Sequence, residues 1–448
     1  MKPKIVFFSR AYQAKLFPLL DSEKYESIHV TLTESEKLEI EKNGHSVKYC
    51  FESYYQENDE LIVPEDYLIT SFKSDRFLHH FDLKDRVTIL KKEISFWRTI
   101  FEVENPIAVI NEQVAIEISE VMFIESIKKN VKYLAWMTNP VNGYFYWVSN
   151  PMSLVLDEEI FSKSPSNESI EIAQKYFKSI TDKNERPYYL EPYLNQSNFR
   201  NIIGSSFSLL KSRFRKFVNK PRGYENDELA KFNKFERAVK TIFLEYNDLD
   251  ELNDYEVVLY PLHYEPEASL CYLSEFFSNQ VALIENISKC LTLNQILVVK
   301  EHPAQPGMLL TNKYQKLYHD NSCIFYLPST ILSYDIIKKS KLIITLTSHL
   351  GWEALILGKP VYLLGKMFYD KYPFVNKFIN FEILRDEIRD CSCKFPESDS
   401  IKMYIAQLID NSYKGMPFPC KELFEETNIN NLKYAIEHRL GLTENKNK

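Results

Sequence analysis

Short apolar runs alternate with longer segments of helical period along most of the chain. Lys4-Ile5-Val6-Phe7-Phe8 is almost continuously apolar, as a parallel strand covered on both faces requires, and Ser9-Arg10 closes it. A helical pattern follows through Leu16, Leu19 and Leu20, and Ser27 to Leu32 reads as a second strand. A long amphipathic helix is predicted between about Leu83 and Glu102. Pro106 to Ile110 is another buried strand, ending at Asn111-Glu112. The helix after it runs through Ile116, Val121 and Ile124, and Lys132 to Trp136 returns as a strand. Such alternation predicts an α/β layer fold with a parallel sheet.

The middle of the chain, about residues 150 to 235, is polar, helical and charge-rich with no strong strand. Lys211, Arg213, Arg215, Lys216, Lys220 and Arg222 form a basic stretch over 209–222, interleaved with Leu209, Leu210, Phe214, Phe217 and Val218. It reads either as a solvated helix face or as a peripheral contact with anionic lipid at the inner membrane. The alternation then resumes. Strands are predicted at Glu256 to Tyr260, Gln295 to Val299, Ile324 to Leu327, Leu342 to Leu346 and Val361 to Leu364. Helices are predicted at Leu273 to Leu291, Ser333 to Ser340 and Gly351 to Leu357. Ser400 to Leu440 is helical again and is read as packing back across the first domain.

Composition narrows the class. The 448 residues suggest two domains, and a net charge of −7 excludes a global basic field for nucleic acid. The seven cysteines include no C-x-x-C pair, so neither a zinc ribbon nor a redox motif is supported. No apolar run reaches the roughly 20 residues of a membrane span. The expected location is the cytoplasm, with the inner face of the membrane as the alternative.

Ligands of open α/β sheets sit beyond the carboxyl ends of the strands. Four segments there carry candidate chemistry. In Val298-Val299-Lys300-Glu301-His302-Pro303, an apolar strand ends in ionisable residues and a proline that stops the ladder. His302 at that end is placed to donate to a phosphate or a departing nucleotide, and Lys300 adds positive charge. Leu346 to Val361 is a strand end followed at once by a helix: Thr347 or Ser348 caps it, and its N–H groups and dipole suit a phosphate. His349 lies in the same turn. Gly351 allows close approach of the backbone to a ligand. Glu353 is placed to accept hydrogen bonds from ribose hydroxyls. Gly358 and Pro360 end the helix.

The third segment, Leu259 to Ser269, holds His263 and two acids, Glu265 and Glu267. Extended geometry would put those acids on one side, about 7 Å apart, as base and orienter. The fourth is Asn111-Glu112-Gln113, with Glu112 as the candidate acceptor-side base. No Walker loop, G-x-G-x-x-G, HExxH or strand-end DxD occurs, so no metal site and no cofactor are expected.

Taken in order, these pieces resemble the capsule polysaccharide biosynthesis family, which includes the capsular Kdo transferases. The resemblance lies in Pro261-Leu262-His263 with acids behind it, then Lys300-Glu301-His302-Pro303, then Thr347-Ser348-x-x-Gly351-x-Glu353-Ala354-x-x-x-Gly358-Lys359-Pro360-Val361, continued by Leu364 to Asp370. It covers about residues 255 to 375. It implies a GT-B architecture, two Rossmann-like domains facing across a cleft. It also implies metal-independent transfer with a CMP-activated sugar such as CMP-Kdo as the leading donor. The His302-Pro303 pair is similar to that of bacterial CMP-sialic acid transferases. By this resemblance His302 and Ser348 would contact the nucleotide phosphate and Glu353 the ribose.

The expectation is therefore a glycosyltransferase of bacterial surface polysaccharide, acting on an oligosaccharide or lipid-linked glycan. Its domains would be 1–235 (acceptor side, with a helical insertion at about 150–235), 236–400 (nucleotide-sugar side) and a helical tail at 401–448. A UDP-sugar or polyol-phosphate transferase is the rival of the same class. A non-catalytic nucleotide-sugar-binding component, epimerase-like or a scaffold with a dead site, is the rival of another class.

Overall fold

In the computed structural model the strands run, in chain order, β1 (Lys4–Ser9), β2 (Glu26–Thr31), β3 (Val47–Cys50), β4 (Ala108–Glu112), β5 (Lys132–Thr138), β6 (Tyr144–Val148), β7 (Glu256–Pro261), β8 (Gln295–Lys300), β9 (Ile324–Leu327), β10 (Ser340–Thr345), β11 (Val361–Leu363), β12 (Asn376–Lys377) and β13 (Tyr413–Lys414). The structure describes the chain apart from residues 1, 55–61, 65–66, 68–71, 73–74, 79–80, 149, 157, 183–236, 238, 241–244 and 444–448. The basic stretch at 209–222 therefore lies outside the described residues. Among the described residues, no helix is long and apolar enough to cross a membrane.

The strands form two sheets, ordered β13-β6-β5-β4-β1-β2-β3 and β12-β11-β10-β7-β8-β9. In the first, β3, β2, β1, β4 and β5 are parallel, while β6 and β13 add antiparallel pairing at one edge. The second sheet is parallel throughout. The predicted α/β class with two parallel sheets is what the chain adopts. Each sheet reverses its strand order beside its first strand, as Rossmann-type sheets do.

By its internal contacts the chain divides into two units: residues 1–75, 79–164 and 407–448, and residues 76–78 with 165–406. The first unit's core packs Ile5, Phe7, Leu16 and Trp136 with Ile429, Leu432, Ala435 and Ile436 of the Glu426–Arg439 helix. The tail from 407 on packs on the first unit, as expected, while 401–406 belong to the second. The Leu83–Glu104 helix is capped by Asp82, whose side chain accepts from the Asp85 N–H, and ends at Asn105 in the left-handed region (φ 45°). It is fastened by the buried Trp97, whose Nε1–H donates to the Ile118 carbonyl at 3.0 Å.

The core of the second unit joins Val258, Tyr260, Leu297, Val299, Ile344 and Tyr362 from its central strands. One predicted helix is corrected. Leu273 to Leu291 is not continuous, because a helical turn ends at Leu273 and a new helix starts at Gln280, capped by the Asn279 side chain on the Ala282 N–H.

Candidate functional site

β8, β7 and β10 are neighbours in the second sheet, and the segments leaving their carboxyl ends carry Lys300 and His302, His263, and Thr347 respectively. Lys300 is 3% exposed, and its Nζ reaches the Glu301 carbonyl at 3.4 Å. Glu301 turns back into the protein, where its carboxylate accepts from the N–H groups of Gly307 at 3.1 Å and Leu309 at 3.0 Å. It is the scaffold of the loop that presents His302. The Ala304 N–H donates to His302 Nδ1 at 3.1 Å, so the neutral ring carries its proton on Nε2. Burial, helped by the charge of Lys300, pulls the imidazole down to about 4. At neutral pH His302 is an uncharged donor, edge-on to the Tyr264 ring at 6.0 Å.

After β10, Ser348 caps the His349–Ile356 helix, its Oγ accepting from the Leu350 N–H at 3.0 Å. The hydroxyl of Thr347 is buried and, among the described residues, has no hydrogen-bond partner. Glu353 is half-buried, and burial raises its carboxyl to about 7 against the opposing pull of Lys300. Among the described residues nothing donates to that carboxylate. His349 lies against Phe368, ring centroids 5.6 Å apart, and burial lowers it to about 4.

Three sequence-based expectations change here. His263 does not face a ligand: it is 5% exposed, and its Nε2 accepts the Thr347 N–H at 3.0 Å. Burial first, then the neighbouring His302 imidazole, pulls it down to about 3, so it is neutral. Gln280 fixes it in place, accepting the His263 N–H at 2.8 Å and donating to its carbonyl at 3.1 Å. His263 positions the strand-to-helix junction.

Gly351 is required by the protein rather than by a ligand. A Cβ there would meet the Tyr369 hydroxyl at 2.5 Å and Thr345 Cγ2 at 2.8 Å. That hydroxyl donates to the Ser348 carbonyl at 2.7 Å and so props the helix start.

The acids Glu265 and Glu267 do not form a free pair, because the chain bends at Glu265-Pro266. The Glu265 carboxylate accepts from Gln280 Nε2 at 2.7 Å, the Tyr314 hydroxyl at 2.7 Å and Lys313 Nζ at 2.6 Å. Its backbone is clasped by Gln305. A carboxylate so occupied is structural. Glu267 accepts from Ser269 Oγ at 2.5 Å; burial raises its pKa, opposed by Ser269 and by the charge of Arg76. The partners Gln280, Gln305 and Tyr314 have no motif that would expose them in the sequence.

Glu112 belongs to the first unit, at the end of β4. It pairs with Arg10, which follows β1, at 2.7 Å, with the two side chains only 18% and 11% exposed. The Tyr133 hydroxyl donates to the Glu112 carbonyl at 3.3 Å.

Residues 227–373 match the family described as capsule polysaccharide biosynthesis protein. No curated protein matches. Among solved structures, the chain is similar to KpsC, beta Kdo 2,7 transferase, from Thermosulfurimonas dismutans at 11% identity, covering 98% of this chain and 99% of that one, with a TM-score of 0.38. KpsC, beta Kdo 2,4 transferase, from the same organism matches at 15% identity over 70% of this chain and 83% of that one, TM-score 0.37. A UDP co-structure of MnaA from S. aureus matches at 13% identity over 99% of this chain and 98% of that one, TM-score 0.31. The α/β class is carried by the two sheets themselves.

Proposed function

We propose, with the capsule polysaccharide biosynthesis pattern of residues 227–373 as premise, that this chain is a metal-independent glycosyltransferase that moves a sugar from a nucleotide donor to a growing surface glycan. The observation that carries the proposal is the incomplete polar set at the carboxyl edge of the second sheet. Among the described residues, His302 offers Nε2–H, Thr347 a buried hydroxyl without a partner, and Glu353 a carboxyl with no donor. A nucleotide supplies what each lacks. Its phosphate accepts from His302, Thr347 and the helix start at Ser348 and His349, with Lys300 supplying positive charge. Its ribose hydroxyls donate to Glu353.

In the reaction the acceptor hydroxyl bonds to the anomeric carbon as the bond from that carbon to the donor phosphate breaks. The departing electrons go to the phosphate oxygen, where His302 stabilises them. The acceptor's proton passes to a carboxylate. Glu265 is excluded by its three donors and Glu112 is held by Arg10, which leaves Glu267. CMP-Kdo is the favoured donor. UDP-sugar and polyol-phosphate donors, and a purely nucleotide-sugar-binding role, are separated from it by experiment.

Thermal shift with CMP, UDP, GDP and ADP identifies the nucleotide, since a ligand at 100 times its Kd adds about 2.7 kcal/mol. His302→Ala should lower turnover about 100- to 1,000-fold with an unchanged melting temperature. Near-normal turnover would remove His302 from the mechanism, and failure of every nucleotide to bind would remove the mechanism itself.

A further inference from the structure

Three side chains of the first unit that the proposed transfer does not use come together. Asp21 follows the Phe17–Leu20 turn of 3-10 helix, His29 lies in β2, and His45 precedes β3. One ligand-type atom from each lies within 4.8 Å of the other two. Asp21 Oδ1 stands 3.3 Å from His29 Nε2, and Asp21 Oδ2 stands 3.0 Å from His45 Nδ1. The imidazoles are edge to face, 6.0 Å apart. His29 is only 3% exposed, and among the described residues neither of its ring nitrogens makes a well-directed hydrogen bond: Nε2 faces the buried Asp21 Oδ1 at 3.3 Å, but off the line of its N–H. Buried polar atoms left in this state cost free energy and call for an explanation.

We propose that Asp21, His29 and His45 bind a divalent transition-metal cation of the zinc class. His29 would coordinate through Nε2, His45 through Nδ1 and Asp21 through its carboxylate. A borderline cation takes imidazole and carboxylate together, whereas calcium and magnesium favour all-oxygen sets. Bonds of about 2.0–2.2 Å need only small side-chain rotations from the present separations. The Asp21 side chain is 41% exposed, so water completes the coordination on the open side. The cation would fasten the entry to β3, the strand at the sheet's edge, to β2 and to the turn before it. A test of this site is independent of the transferase reading.

Metal-stripped full-length protein is titrated with Zn²⁺ against a chromogenic chelator, and with Co²⁺ followed by visible absorption. The expected result is one equivalent of Zn²⁺ and a Co²⁺ spectrum without a thiolate charge-transfer band, which separates this site from the seven cysteines. His45→Ala and Asp21→Asn, at partly exposed positions that the fold tolerates, should each weaken binding by at least about 100-fold, more than loss of an outer partner does. No metal uptake, or uptake unchanged in the double variant, would overturn the site and leave an Asp–His hydrogen-bond pair in its place.

Discussion

The two sheets share one strand order around their first strand, yet their carboxyl edges are finished differently. Where the first sheet reverses, between β1 and β4, Arg10 and Glu112 neutralise each other at 2.7 Å. Where the second reverses, between β7 and β10, a buried Thr347 hydroxyl has no partner and the Glu353 carboxyl receives no donor among the described residues. The first edge thus carries an internal ion pair where the second carries none, although Arg10 Nε and Gln113 Oε1 beside that pair are also buried without a partner among the described residues. Buried polar groups in proteins are mostly satisfied, so the unpartnered groups of the second edge are what the proposed nucleotide site rests on.

The largest effect that tests this contrast lies on the ion-paired side. Glu112→Ala leaves a largely buried Arg10 without its counter-charge and should cost about 2–3 kcal/mol, toward the low end for a broken buried pair because both side chains keep some solvent contact. Urea unfolding of the single variants and of the Arg10→Met/Glu112→Ala double variant closes a cycle. If the double variant is as unstable as the sum of the singles, the two groups are not coupled, and the first edge is no more complete than the second.

The same contrast explains what the sequence disclosed. β7 to β11 are legible because each is a nearly unbroken apolar run between turn residues, and their strand-end motifs are contiguous in sequence. Lys300, His302, Thr347, Ser348 and Glu353 could therefore be found one segment at a time. Arg10 was not legible as a partner of Glu112, since the pair spans 102 positions and only the parallel pairing of β1 with β4 joins them. Glu265 was misread for the same reason: its partners Gln280, Lys313 and Tyr314 come from two later helices. β6 and β13 also went unread, one lying just beyond a Pro-containing loop and the other only Tyr413–Lys414 long. Asp21, His29 and His45 are likewise spread over three segments.

A smaller effect tests whether the second edge is built by the protein or shaped by its ligand. Gly351→Ala places a Cβ 2.5 Å from the Tyr369 hydroxyl, which holds the Ser348 carbonyl. The expected loss is about 1–3 kcal/mol of stability in the absence of any nucleotide. Gly351→Ala combined with Tyr369→Phe should recover part of it, because the clashing atom is gone. Full stability of Gly351→Ala with only nucleotide binding impaired would restore the ligand-approach role first expected for this glycine.

The smallest effect is the most discriminating, because its sign is opposite to that at Glu112. Burial raises the Glu353 carboxyl from 4.5 to about 7. The folded state thus holds this proton more tightly than the unfolded chain. The stabilisation it gives is complete below about pH 4.5 and is lost as pH rises through about 7. Glu353→Gln keeps the uncharged form at every pH. It should therefore raise stability at pH 8 by about 1–2 kcal/mol, discounted from the full shift for partial exposure, and change little near pH 4.5. The same variant should bind the identified nucleotide about 5- to 10-fold more weakly, having lost a charged acceptor for the ribose. Denaturation at the two pH values, with and without nucleotide, reads both quantities. A variant that is less stable than the parent at pH 8 would mean that the protein itself already serves the carboxylate, and the second edge would then be as complete as the first.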